Sequence, residues 1–295
     1  MGLDYSYYDM SEHLLEMAKS LVKIENGKIT VLTDPLVQHC PLRDSLYGCR
    51  EESKATVERV LKNHIEELGM YSSNRTLSLD SEPVSFGASE VIMDAMAEGL
   101  VDAAVVVCEG AGTVIVSRPD VLQAVGAHMT GLISTQPINE IQVGLEKRGC
   151  ILLDESCTID QSCGLKKAFD HGFNRVAVTI AGSRAFEAKA LRELGSEKGT
   201  RPIILAVHTT GISDAEAGVL ADECDIVWAC ASKSVREIVG RRSKLQIGIS
   251  IPVFALTDQG KRLVLSRALH FSGSLVIHQA RLPSVPDEKQ PYPLS

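Results

Sequence analysis

Residues 103–113 read AAVVVCEGAGT, an unbroken apolar run that ends in a cysteine, a glutamate and two glycines. Valine and alanine without alternation predict a strand buried on both faces, as in a parallel sheet covered by helices. In open parallel sheets ligands bind beyond the carboxyl ends of the strands. The run therefore delivers Cys108, Glu109, Gly110, Gly112 and Thr113 to the expected crevice. GAGT has the look of a phosphate cradle, which makes Gly110, Gly112 and Thr113 the candidate cofactor-binding residues. The following VIV is β-like, however, so the helix amino end that gives such glycines their meaning is missing. The cofactor stays unknown at this level.

Around this stretch strands and helices alternate. SFGASEVIMDAMAEGL (85–100) predicts a helix with Ala88, Val91, Ile92, Ala95 and Met96 inward, leading straight into the apolar strand. Downstream, GLIST, CILLD, RVAVTIAG, PIILAVHTTG and DIVWACAS are strand-like and are separated by helical stretches. Pro119 and Pro137 stand where first helical turns accept proline, and Ser213 with Glu216 and Ser234 with Glu237 have the spacing of capping boxes. The pattern closes with QIGISIPVFALT, a helix from Asp258 to Leu269 and the strand-like SLVIHQARL. Parallel strands need crossover connections, so the alternation predicts an α/β fold: a largely parallel, doubly wound sheet with helices on both faces. A closed eightfold barrel is the second choice, because six or seven βα units fall short of eight.

Before residue 85 the pattern changes. Residues 11–23 carry a short amphipathic pattern at helical spacing through Leu14, Leu15, Ala18 and Leu21. VKIENGKITVLT follows, and Asn26-Gly27 supplies the positive backbone angles of a two-residue hairpin turn. Pro41 keeps Cys40 out of a helix, and residues 53–68 predict a helix with Val57, Val60, Leu61, Ile65 and Leu68 on one face and a stop at Gly69. The expected organisation is an amino-terminal α/β elaboration over 1–85 containing the hairpin, a parallel α/β domain over 86–282, and a flexible tail over 283–295, which holds four prolines.

Composition narrows the function classes. The chain has 295 residues, 44% hydrophobic and 23% charged, with a formal net charge of -8. Without a basic stripe it lacks the electrostatic footprint of a nucleic-acid binder. No apolar stretch approaches the length of a membrane span, and the start, MGLDYSYYDMSEHLLEMAKS, is too polar for a secretory signal. A cytoplasmic protein is expected, without nucleic acid or membrane as partners. Eight cysteines occur, yet no CxxC, so the spacings match neither zinc knuckles nor ferredoxin runs.

The strand assignments bring Cys108, Glu109, Asp154, His208 and Cys230 to one carboxyl edge. Thiolate and imidazole suit soft metals, whereas carboxylate beside histidine suits acid–base work. Cys108, Glu109 and His208 are thus the catalytic candidates, and Cys108, Cys40 and Cys230 the metal candidates. Cys108 leads, since a strand opening onto a glycine loop would leave its sulfur accessible and near amides that lower its pKa.

HCPL (39–42), SFGASE (85–90), LVDAAVVVCEGAGTVI (100–115) and DQSCGLKKAFDHGFNRVAVTIAG (160–182) together resemble the methanogenesis marker protein 8 family, over about residues 20–282. The resemblance implies an archaeal, anaerobic setting and a link to methanogenesis, as an accessory to maturation, activation or cofactor supply of methyl-coenzyme M reductase. It carries over no functional residue. Three readings follow: a thiol- or metal-handling accessory protein with methanogenesis proteins as partners, a small-molecule enzyme holding an anionic substrate in the crevice, and a non-enzymatic interaction module.

Overall fold

The computed structural model describes residues 11–128 and 131–295; the first ten residues of the polar amino-terminal stretch read above lie outside them. The described residues begin with β1 (Glu12–Met17), β2 (Ser20–Glu25), β3 (Lys28–Val31), α1 (Pro41–Tyr47) and α2 (Lys54–Leu68). It continues with α3 (Ala88–Ala97), β4 (Ala103–Cys108), β5 (Gly112–Val116), α4 (Pro119–Gly126), β6 (Gly131–Thr135) and α5 (Asn139–Glu146). Next come β7 (Ile151–Leu152), α6 (Gln161–Asp170), β8 (Val176–Ala181), α7 (Glu187–Glu197), β9 (Ile203–Val207) and α8 (Asp214–Glu223). It closes with β10 (Ile226–Trp228), α9 (Gly240–Arg242), β11 (Leu245–Ile247), β12 (Val253–Ala255) and α10 (Asp258–His270).

Two sheets result. The larger has the order β11-β12-β10-β9-β8-β4-β5-β7. Its four middle strands, β4, β8, β9 and β10, pair in parallel. Both flanks are antiparallel, β5 returning beside β4 and β12 beside β10. The expectation of a largely parallel sheet therefore holds in the middle and fails at the margins. The reason lies in the connections: three residues join β4 to β5, far too few for the crossover that a parallel neighbour needs.

The middle strands are apolar throughout because both faces are covered. Ala104, Val106 and Cys108 point into one core with Val91 and Ile92 of α3, Leu122 of α4 and Leu145 of α5. Ala103 and Val105 point into the other, with Leu165 of α6, Leu191 of α7 and Leu220 of α8.

The smaller sheet, β3-β2-β1-β6, is antiparallel. Residues 11–23 form strands here, so their amphipathic spacing is not a helical face. Leu15, Met17, Val22 and Ile24 are buried against Val57, Val60 and Leu61 of α2. Each such aliphatic side chain contributes about 1.5–3 kcal/mol when fully buried. The Asn26-Gly27 hairpin is present, with φ of 52° and 71° and Glu25 opposite Lys28. A second two-residue turn at Ala18 and Lys19, φ 52° and 63°, joins β1 to β2. GLIST becomes β6, which leaves the large sheet to pair with β1.

Helix α2 begins at a capping box on Ser53 and ends at Gly69 in the left-handed region, as its sequence predicts. The Ser213–Glu216 box also forms. Ser234 caps nothing: its hydroxyl donates to Asp214 Oδ1, and Ser232 Oγ accepts from Val235 N instead. SLVIHQARL forms no strand and belongs to neither sheet. Residues 283–295, expected as a tail, hold hydrogen bonds to the body of the protein, with Tyr292 pairing across His39 and Ser295 N donating to Ala231 O. Among the described residues no helix is long and apolar enough to cross a membrane.

Candidate functional site

The carboxyl edge of the parallel strands carries two groups of polar side chains. The first lies at the end of β4. Cys108 and Glu109 are fully buried there, Cys108 in the core that α3, α4 and α5 cover. Glu109 Oε1 accepts from Arg75 Nε at 2.6 Å, and both side chains are sealed from solvent. The rest of the Arg75 guanidinium donates to Thr76 O and Ala124 O. Thr135 Oγ1 of β6 accepts from Gly110 N and bonds His13 Nδ1 at 2.6 Å, which ties the small sheet to this turn. The Cys108 thiol donates weakly to Glu109 O, and burial, with the Glu109 charge adding, pushes its pKa well above the usual thiol range. A thiolate is disfavoured here.

The turn that follows does not present free donors. Gly110 N goes to Thr135 Oγ1, Ala111 N to Cys108 O and Thr113 N to Thr158 O. Thr113 Oγ1 donates to Gln161 Oε1 and accepts from Asp160 N. Gly112 is required by geometry: its φ is 70°, and a Cβ would stand 2.4 Å from the Cys157 carbonyl carbon. The chain itself thus occupies Gly110 and Thr113, and contact with Cys157 explains Gly112.

The second group lies at the ends of β9 and β10. Cys40, at the start of α1, and Cys230, just beyond β10, are both half-buried. They are close enough for the charge of one to act on the other: burial raises the Cys40 pKa, the Arg43 and Leu42 amides oppose, and Cys230 adds to the rise. His208, half-buried and with a φ of 51°, follows β9. Burial pushes its pKa down, with Glu16 opposing and Lys19 adding. The tip of the β1–β2 turn roofs this end, for Lys19 Cε stands 3.2 Å from where a Cβ on Gly211 would sit. Arg236 is buried beside Cys230, donating to Gln290 Oε1 and to the carbonyls of Ala229, Cys230, Ser232 and Ser250. Among the described residues no carboxylate pairs with it, and burial pushes the guanidinium pKa down to about 10, with only Cys230 acting in the opposite sense.

Residues 292–295 straddle the two cysteines. Tyr292 exchanges backbone hydrogen bonds with His39, the neighbour of Cys40. Ser295 bonds Ala231, the neighbour of Cys230.

The structure sets Cys40 and Cys230 within reach of each other's charge, and separately places Cys108 against Glu109. Among the described residues no three His, Cys, Asp or Glu side chains converge in a group able to hold a metal ion, so Cys108, Cys40 and Cys230 do not form one ligand set. Asp154 stands in neither group. Burial works to raise its pKa, but the amide and hydroxyl donors of Thr158 and Ser156 outweigh it and hold the carboxylate in its loop. Arg75, Arg236 and His13 escaped the sequence reading. A lone charged residue in a loop, at a strand start or, like Arg236, in a short helical segment gives no periodic signal; only a search for partners of a buried Glu109 would have pointed to Arg75.

The family described as "Uncharacterized protein conserved in archaea (DUF2099)" matches residues 13–269, which take in Cys40, Cys108, His208 and Cys230. A curated relative, "Uncharacterized protein MJ0054" of Methanocaldococcus jannaschii, is 35% identical over 287 residues, 97% of this chain and 100% of the relative. Similarity of that extent spans both sheets and both polar groups, and the chain belongs to this archaeal family.

Proposed function

We propose that the protein works through the thiols of Cys40 and Cys230, set in a crevice between the amino-terminal unit and the carboxyl edge of a doubly wound sheet. One observation carries this reading: two cysteines far apart in sequence are both half-buried and within electrostatic reach of each other. A reachable pair of thiols suits thiol–disulfide exchange. One thiolate attacks a disulfide to form a mixed disulfide, the second resolves it, and two thiols leave. Arg236, which donates to the Cys230 carbonyl, supplies a positive field, and His208 follows the neighbouring strand β9. The resemblance to the methanogenesis marker family, together with a relative from Methanocaldococcus jannaschii, supports an accessory role to methyl-coenzyme M reductase in an anaerobic cytosol.

Mild oxidation of anaerobically prepared protein, followed by peptide mass mapping, tests the pair. A Cys40–Cys230 linked peptide is expected, lost in Cys40→Ser and in Cys230→Ser. Oxidation confined to Cys163, which is exposed, would overturn the reading.

Arg236 favours a second reading, in which the crevice holds an anionic small molecule. A buried guanidinium without a carboxylate leaves positive charge for an anion to meet. Calorimetry with small anionic thiols separates the two: binding that survives Cys230→Ser but not Arg236→Met favours the anion site.

A further inference from the structure

After α10 the chain turns at Phe271, which packs on Phe86, and runs out through Ser274–His278, SLVIH. Val276 is 90% exposed and Ile277 79%. Among the described residues none from 272 to 283 makes a backbone–backbone hydrogen bond. Three consecutive strand-forming side chains with an open backbone are a template for another strand. On α10, which leads into this segment, Leu265 and Leu269 are exposed, and with Leu100 they line a 320 Å³ groove rimmed by Glu98 and Arg262.

We propose that Ser274–His278 pairs antiparallel with the same segment of a second copy, across a two-fold axis at Val276, covering Leu265 and Leu269. A second copy fits because the segment is self-complementary in that register. Leu275 then stands opposite Ile277, and Val276 opposite itself. Arg281 falls opposite Phe271, near Glu98, whose carboxylate has, among the described residues, only His270 at 3.6 Å as an ion-pair partner. Apolar residues meet apolar residues and a cation approaches an anion, twice, once on each side of the axis. A contact built from one patch on both copies closes on itself and does not propagate.

Sedimentation of the full chain at micromolar concentrations reads the outcome directly. The wild type is expected to be a dimer, and Val276→Asp should weaken self-association by at least ~10-fold. At concentrations low enough for both proteins to be monomeric its melting temperature should match that of the wild type, because the side chain is exposed in the single chain. Ile277→Lys serves as a second variant if the first folds poorly. A Val276→Cys variant should cross-link to itself on mild oxidation, since a residue on the axis faces its own copy. A monomeric wild type, a dimer that survives both charge substitutions, or a dimer in which the Val276→Cys variant fails to cross-link would each overturn the proposal.

Discussion

Two strand ends at one sheet edge carry a cysteine followed by small and polar residues, and they finish in opposite surroundings. At the end of β4, CEGAGT turns directly into β5, is tied to β6 and is covered by the helical core, so Cys108 and Glu109 are closed off from solvent. Beyond β10, CASKS is covered only in part, and Cys230 stays half-open beside Cys40. The chemistry a strand end can perform follows from what packs over it. The glycines that make the β4 turn sharp allow the return strand beside it.

Breaking the buried pair under β4 should have the largest effect. Glu109→Ala leaves the Arg75 guanidinium buried and unpaired, and is expected to cost about 3–5 kcal/mol in denaturant unfolding. Arg75→Met with Glu109→Gln should recover most of that loss, since neither charge then needs a partner. A loss below about 1 kcal/mol in Glu109→Ala would mean that this end is wetter than its geometry indicates.

Acid should weaken the same side of the molecule next. Burial pushes the pKa of His13 down to about 4, with Glu12 opposing, and that of His64 down to about 3, with His128 adding. Their unfolded values lie near 6.5. The unfolded chain therefore binds protons that the folded chain refuses. The stability these groups contribute is fully present above pH ~6.5 and is lost as pH falls to about 4 for His13 and about 3 for His64. The loss from His13 is on the order of 3 kcal/mol. Unfolding midpoints between pH 7 and 4 should fall steeply in the wild type and less steeply in His13→Gln.

The cysteines give the smallest effect and the sharpest contrast. Cys108→Ser should lower stability by ~1–3 kcal/mol, from a hydroxyl buried with poor partners, and leave thiol labelling unchanged. Cys230→Ser should change stability by no more than about 0.5 kcal/mol and remove one readily alkylated thiol. Fast labelling of Cys108 in the native wild type would erase the distinction between the two ends.

Part of the fold was legible because its causes are local. Ser53 and Gly69 bound α2, and Asn26-Gly27 sets its hairpin, through the backbone angles and hydrogen bonds of those residues alone. The Ala18–Lys19 turn uses the same left-handed angles with residues that rarely adopt them, so its sequence was silent. GLIST looks the same in either sheet, since a short apolar strand says nothing of its partner. The antiparallel return of β5 was within reach: three residues between two apolar runs leave no length for a crossover.

By itself, then, the sequence determined most of the succession of strands and helices beyond residue 53, the ends of α2 and the cap at Ser213, one turn, and the apolar character that buries the middle strands on both faces. Those properties depend on residues within a turn or two of each other. The tertiary structure alone decided the strand order, the transfer of β6 to the small sheet, and the partnership of Arg75 with Glu109. It also decided that Cys230, and not Cys108, remains within reach of solvent and of Cys40. Burial is imposed by neighbours that arrive from distant parts of the chain, and a strand end carries no local record of them.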